Sequence, residues 1–113
     1  MSGISTHVLD ISLGRPAAGV KVTLELSDND GWTELSTRTT DSDGRIKQML
    51  PPEMALRPGD YRLSFRTLAY FLARGVQGLY PVVQITFTVT DNASHFHIPL
   101  LLTANGYSTY RGS

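Results

Sequence analysis

Val20-Lys21-Val22-Thr23-Leu24-Glu25-Leu26 alternates strictly between apolar and polar side chains, which is the period of a strand with one face buried and one wet. Ile85, Phe87 and Val89 alternate in the same way with Thr86, Thr88 and Thr90. Turn-forming clusters separate such runs at Gly14-Arg15-Pro16, Asp28-Asn29-Asp30-Gly31, Asp41-Ser42-Asp43-Gly44, Arg57-Pro58-Gly59-Asp60 and Thr103-Ala104-Asn105-Gly106. Strands are therefore expected over residues 4–11, 20–27, 32–40, 44–48, 60–66, 82–90, 94–103 and 106–112. Only Leu68-Ala69-Tyr70-Phe71-Leu72-Ala73-Arg74, closed by Gly75, reads as helix. The expected fold is all-β: an eight-stranded antiparallel β-sandwich with one short helix, formed by residues 1–113 as a single domain.

The totals agree with one domain, because 113 residues are enough to bury a modest core without staples. Ten Lys and Arg balance ten Asp and Glu, which argues against a nucleic-acid or anionic-membrane surface, since either wants a basic excess. With no Cys there is no disulfide framework, thiolate nucleophile or thiolate metal ligand. No apolar run approaches bilayer length. Met1-Ser2-Gly3-Ile4-Ser5-Thr6-His7 leads straight into a strand-like segment with neither a basic nor an apolar leader, so a cytoplasmic location is expected.

Strand parity then sorts the residues into faces. Between Ser94 and Thr103 the even set Phe96, Ile98, Leu100 and Leu102 is uniformly large and apolar and belongs in the core. The odd set His95, His97, Pro99 and Leu101 must point outward, and an outer face with Pro99 and Leu101 is too apolar to be simply solvated. Near the start of the chain His7 and Leu9 share one face, with Thr6, Val8 and Asp10 on the other. Imidazoles on outward faces mixed with apolar residues are the composition of an interface or a site. The tail Tyr110-Arg111-Gly112-Ser113 puts a phenol and a guanidinium where small domains usually fray, so it is expected to be held down and used.

Other elements have plainer readings. His95 and His97 fall on one face and could chelate zinc, but two ligands without a third do not make a site. Asp41-Ser42-Asp43-Gly44-Arg45 resembles part of a calcium loop yet lacks the later ligands, and reads instead as a tight turn followed by a strand-starting Arg. Tyr61, Phe65, Phe87 and Phe96 are read as core. No phosphate loop, Ser nucleophile elbow or Cys-His pair is present.

Taken together, the residues resemble the 5-hydroxyisourate hydrolases, the transthyretin-like (prealbumin-like) enzymes of purine catabolism. The resemblance runs from Ser5-Thr6-His7-Val8-Leu9-Asp10 through Gly14-Arg15-Pro16-Ala17 and Thr40-Asp41-Ser42-Asp43-Gly44-Arg45. It continues in His95-Phe96-His97-Ile98-Pro99-Leu100-Leu101-Leu102 and ends in Gly106-Tyr107-Ser108-Thr109-Tyr110-Arg111-Gly112-Ser113, whose last four residues are its most specific part. The chain departs from the family at Thr103-Ala104-Asn105 and at Val82, in a hairpin loop and on a sheet face.

The resemblance implies a homotetramer in which two sandwich dimers meet face to face around a channel with active sites at its mouths. It implies hydrolysis of the N1–C6 ring amide of 5-hydroxyisourate, giving 2-oxo-4-hydroxy-4-carboxy-5-ureidoimidazoline, with no cofactor and no metal. His7, Arg45, His97 and Tyr110 are the implied catalytic residues, and His7, Arg45, Tyr110, Arg111, Gly112 and Ser113 the implied substrate contacts. Either His7 or His97 serves as the base that activates water, with the other orienting water or the leaving nitrogen. Arg45 and Arg111 offer planar guanidinium groups to the developing oxyanion and the carbonyl-rich ring. Ser113 contributes its hydroxyl or a terminal carboxylate. Parity leaves open whether Tyr110 or its neighbours face the channel, and the family comparison favours Tyr110. A transthyretin-type carrier and a structural prealbumin-like module are the alternatives.

Overall fold

Alternation becomes two faces of two sheets. The computed structural model describes residues 2–113. Its strands are β1 (Gly3–Asp10), β2 (Arg15–Pro16), β3 (Lys21–Asp28), β4 (Gly31–Thr39), β5 (Arg45–Ile46), β6 (Gly59–Phe65), β7 (Val83–Val89), β8 (His95–Thr103) and β9 (Gly106–Thr109). The helix α1 (Thr67–Leu72) lies between β6 and β7. One sheet has the order β2-β1-β8-β9, with β5 also pairing with β1, and the other has the order β4-β3-β6-β7.

The sandwich expected from the sequence is present, with one pairing of the opposite sense. β1 and β8 run parallel from Gly3↔His95 to Asp10↔Leu102, whereas every other ladder is antiparallel. Local alternation carries no signal for that difference, because it reports faces and not strand direction. The two-residue β2 fell within a stretch read as a turn, and β5 is shorter than the 44–48 expected.

The core is where parity put it. Phe96, Ile98, Leu100 and Leu102 are buried, opposite Ile4, Thr6, Val8 and Asp10 of β1. The second sheet supplies Val22, Leu24, Leu26, Tyr61, Leu63, Phe65, Val83, Ile85 and Val89 to the same interior. Fully burying an aliphatic or aromatic side chain is worth about 1.5–3 kcal/mol, so this interior outweighs the polar outer faces in fixing which side of each strand points in. The helix stops at Leu72, earlier than the pattern through Arg74 suggested, and the chain turns at Gly75 with φ +71°. It buries Tyr70 and Phe71, and Tyr70 donates its hydroxyl hydrogen to Asp10 Oδ2 at 2.8 Å.

Asp10 is buried, and burial alone would raise its pKa. Hydrogen bonds from the Ser12 and Tyr70 side chains and from the Leu13 and Ser12 amides together pull it below the ordinary carboxylate value. Burial, added to by the same contact, pushes the Tyr70 phenol up to about 12. A charged carboxylate thus pins the helix to β1 from beneath, leaving the opposite face of β1 free for chemistry.

Two features of the outer face differ from expectation. Pro99 is buried within the single chain, and β9 ends at Thr109 although a strand to 112 was expected. Both have one cause. Proline has no N–H to give, so the β8–β9 ladder lapses where Tyr110 would pair with Pro99, and it resumes as an isolated bridge at His97↔Gly112. Thr109 Oγ1 donates to the Pro99 carbonyl at 2.7 Å, and the returning tail covers the ring.

Candidate active site

Four neighbouring segments deliver the site. In the first sheet, β5, β1, β8 and the tail lie side by side, so residues in register share one rung and one face. One rung runs Arg45↔His7↔Pro99. The next rung on that face runs Ser5↔His97↔Gly112. Strands about 4.8 Å apart and same-face neighbours nearly 7 Å apart along a strand bring these side chains within reach of one small molecule.

Between them is a cleft of about 230 Å³ lined by Arg45, Lys47, His95, His97 and Ser113, with Ser5, Thr6 and Ile46. Of the residues singled out from the sequence, Arg45, His97 and Ser113 line this cleft directly, and His7 pairs with Arg45 beside it. Gly112 closes on His97: its amide donates to the His97 carbonyl at 2.8 Å, and a Cβ added there would lie 2.5 Å from His97 Cδ2. Only a glycine lets the tail lie flat on that imidazole.

Tyr110 and Arg111 lie in the gap between the end of β9 and the His97↔Gly112 bridge. Tyr110 is exposed and lines a separate recess with Phe87, Phe96 and Arg111, outside the His97 cleft. Arg111, one residue on, turns toward Phe96 of β8. Its guanidinium carbon stands 4.2 Å from the centre of the Phe96 ring, in a cation–π contact that anchors the tail at the sandwich edge. The single chain therefore does not bring Arg111 together with Arg45 in the cleft.

Each imidazole is held by a defined partner. His7 Nε2 lies 2.8 Å from the Asp43 carbonyl oxygen. A carbonyl only accepts, so Nε2 carries the hydrogen and neutral His7 has its lone pair on Nδ1. His97 Nδ1 lies 2.7 Å from Ser5 Oγ, which is also 2.8 Å from His95 Nε2. His95 and His97 thus share a hydroxyl, and the described residues contain no group of three or more His, Cys, Asp or Glu able to hold a metal ion. Burial, then the nearby charges of Arg45, His7 and His95, hold the His97 pKa below 6.5 and favour the neutral ring.

The turn before β5 sets Arg45 and the Asp43 carbonyl. Asp41 Oδ1 accepts from the amides of Asp43 and Arg45, both at 2.9 Å, so the carboxylate that resembled a calcium ligand is used by its own backbone. Bonding to the Arg45 amide is the largest of the effects that lower its pKa. Ser5 and Lys47 were not singled out from the sequence. A serine in a strand carries no signal of its own, and its role emerges only from the parallel register that sets it beside His97.

A model of the HIUase/Transthyretin family matches residues 4–112. The chain belongs to that family. It is 47% identical over 110 residues to the 5-hydroxyisourate hydrolase of Salmonella dublin, covering 97% of this chain and 80% of that one. The structure of Klebsiella pneumoniae 5-hydroxyisourate hydrolase superposes with a TM-score of 0.86 at 38% identity, over 99% of this chain and 100% of that one. Transthyretin from Sparus aurata superposes with a TM-score of 0.91 at 27% identity, over 99% of this chain and 97% of that one. Backbone shape does not separate the hydrolase from transthyretin, because transthyretin superposes at least as well. The side chains must do so.

Proposed function

We propose that this protein is a hydrolase that opens the six-membered ring of 5-hydroxyisourate by adding water to its N1–C6 amide, within urate degradation. The observation that supports it most is the convergence of His7, Arg45 and His97 from three strands onto one face, with Gly112 and Ser113 folded against them. Two imidazoles and a guanidinium suit ring-amide hydrolysis better than passive holding of an apolar ligand, and the higher identity to the hydrolases points the same way.

In this reading His97 is the base. Its half-buried, neutral ring takes a proton from water as the oxygen attacks C6, and Arg45 balances the oxyanion with two parallel N–H groups. His7, its tautomer fixed by Asp43, accepts through Nδ1 and orients the water or the leaving nitrogen. Tyr110 and Ser113 contact the substrate. The tail positions the base through Gly112, and Arg111 keeps the tail in place through Phe96. Ser5 Oγ is paired with His97 Nδ1 at 2.7 Å, but it is buried and held by a second imidazole at 2.8 Å, so direct attack by water is preferred to a covalent intermediate. Decay of freshly generated 5-hydroxyisourate, followed optically against a protein-free control, tests the reading; decay no faster than the control sinks it.

Arg45→Lys is expected to lower kcat/KM by about 10- to 10³-fold with folding intact, because Lys keeps the charge and loses the fork. Circular dichroism with steady-state rates checks this. Rates should also fall on acidification. The base works only when neutral, and the His97 pKa is lowered, so the midpoint of the fall should lie below 6.5. Stability has the same sign: the unfolded chain takes up the proton first as pH falls below 6.5, so stability is lost through the folded-state value.

The assembly belongs to the same proposal: a homotetramer of two face-to-face sandwich dimers, with the His7 and His97 face lining a shared channel. Half-buried Leu101 and exposed Tyr110 are the groups left for a partner surface, since Pro99 is already covered within the chain. Light scattering should give four times the chain mass at micromolar concentration, and a fully active monomer would remove the shared channel. No helix among the described residues is long and apolar enough to cross a membrane. A cytoplasmic location is part of the proposal, and cell fractionation checks it.

A further inference from the structure

Ser5 Oγ has one hydrogen and two imidazole neighbours, His97 Nδ1 at 2.7 Å and His95 Nε2 at 2.8 Å. It can donate to only one of them, so the other must donate to it. Ser5 is 7% exposed, which leaves little room for water to take either place. The two rings are therefore coupled: fixing the hydrogen on one fixes the tautomer of the other.

We propose that His95, Ser5 and His97 form a proton relay, in which Ser5 is a positioning residue that sets the tautomer of the base and His95 stores its proton at the rim of the cleft. The inference rests on the reading of His97 as the base. In the resting arrangement His97 Nδ1–H donates to Ser5 Oγ and Ser5 Oγ–H donates to His95 Nε2, leaving the lone pair on His97 Nε2. As water oxygen bonds to C6, one water hydrogen passes to Nε2. His97 then gives its Nδ1 hydrogen to Oγ, and Oγ gives its own to His95 Nε2. When Nε2 protonates the leaving N1 and the C6–N1 bond breaks, the relay runs backward and the resting tautomers return. The net transfer is one hydrogen from water to N1.

The direction of the relay follows from the surroundings. His97 is half-buried and faces Ser5 and His7 from β1, Arg45 and Lys47 from the β5 side, His95 on its own strand, and Gly112 and Ser113 of the tail. Partial burial and the Arg45 guanidinium make the His97 ring a poor place to hold a positive charge. His95 is exposed, so an imidazolium there keeps its hydration. A pair of imidazoles sharing one hydroxyl also resists double protonation, because two N–H donors would then face a single oxygen and strand its hydrogen.

The test uses Ser5→Ala, Ser5→Thr, His95→Gln and the Ser5→Ala/His95→Gln double variant, with kcat and KM measured from pH 5 to 9 on 5-hydroxyisourate. Breaking the relay should lower kcat by about 10-fold or more, less than the roughly 10²- to 10⁴-fold contribution of a whole general base. KM should stay within about twofold, since neither residue is assigned a substrate contact, and the double variant should be no worse than Ser5→Ala alone. Ser5→Thr keeps a hydroxyl and should retain most of the rate. Nitrogen-15 NMR should show the His97 tautomer changing in Ser5→Ala, a readout that does not depend on turnover. His95→Gln alters only an exposed side chain, so it carries the test if Ser5→Ala folds poorly. Wild-type kcat and pH profile in His95→Gln, beside a crippled His97→Asn, would overturn the relay and leave the base standing. Full turnover in His97→Asn would overturn the base, and the relay with it.

Discussion

His7→Asn and His97→Asn should each lower turnover by about 10²- to 10⁴-fold, the range for loss of general acid–base help. The reason is geometric before it is chemical. His7 and His97 reach one face of the first sheet from adjacent parallel strands, and each has a partner, the Asp43 carbonyl and the Ser5 hydroxyl, that fixes which nitrogen is free. Asn can keep one hydrogen bond of this kind and cannot take up a proton near neutral pH. The double variant should lose far less than the product of the two single losses, since groups that serve one transition state act as a unit. Thermal midpoints should move little, because neither ring is part of the apolar core and its replacement leaves no cavity there. Initial rates and melting curves for the three variants decide the matter. Near-wild-type turnover in both single variants, with folding intact, would return the carrier reading to first place.

The sequence made the faces of the strands legible. Phe96, Ile98, Leu100 and Leu102 had to point one way, which put His97 on the other, and a period of two is all that argument requires. Which strands adjoin was not legible, because alternation says nothing about neighbours across a sheet. The parallel β1–β8 pairing is the clearest case: it sets Ser5 beside His97, and no spacing along the chain announces a contact between residues 92 positions apart. Pro99 shows the opposite failure. Its outward parity was right, but its covering came from the tail of the same chain, and that contact depends on a ladder gap that proline itself creates. Arg111 was grouped with the site through a shared motif, whereas in the folded chain its guanidinium stacks on Phe96. Contiguity in a motif is not convergence in space.

Gly44→Ala should be the most damaging single methyl in the chain, and Gly14→Ala supplies its control. Both glycines have left-handed backbone, φ +74° and +68°. Alanine in that region costs about 1–2 kcal/mol whatever surrounds it. At Gly14 nothing lies within 4 Å of the added carbon, so that strain is the whole effect. At Gly44 the added carbon would sit 2.4 Å from the Val8 carbonyl oxygen, which already accepts from the Ala17 amide at 2.9 Å, while the Val8 amide donates to the Gly44 carbonyl at 2.7 Å. Backbone in the middle of β1 cannot yield as a flexible side chain would. The turn must move instead, breaking at least one of those bonds and raising the total to about 3–5 kcal/mol. A loss of that size should lower the melting temperature by more than about 10 °C. The same displacement shifts the Asp43 carbonyl that orients His7 and the Arg45 that opens β5, so the folded fraction should also turn over slowly at temperatures where it is fully native. Gly14→Ala should retain full activity. Comparable melting temperatures for the two variants would mean that the close approach of Gly44 to β1 is not what holds the turn, and with it the arginine, in place.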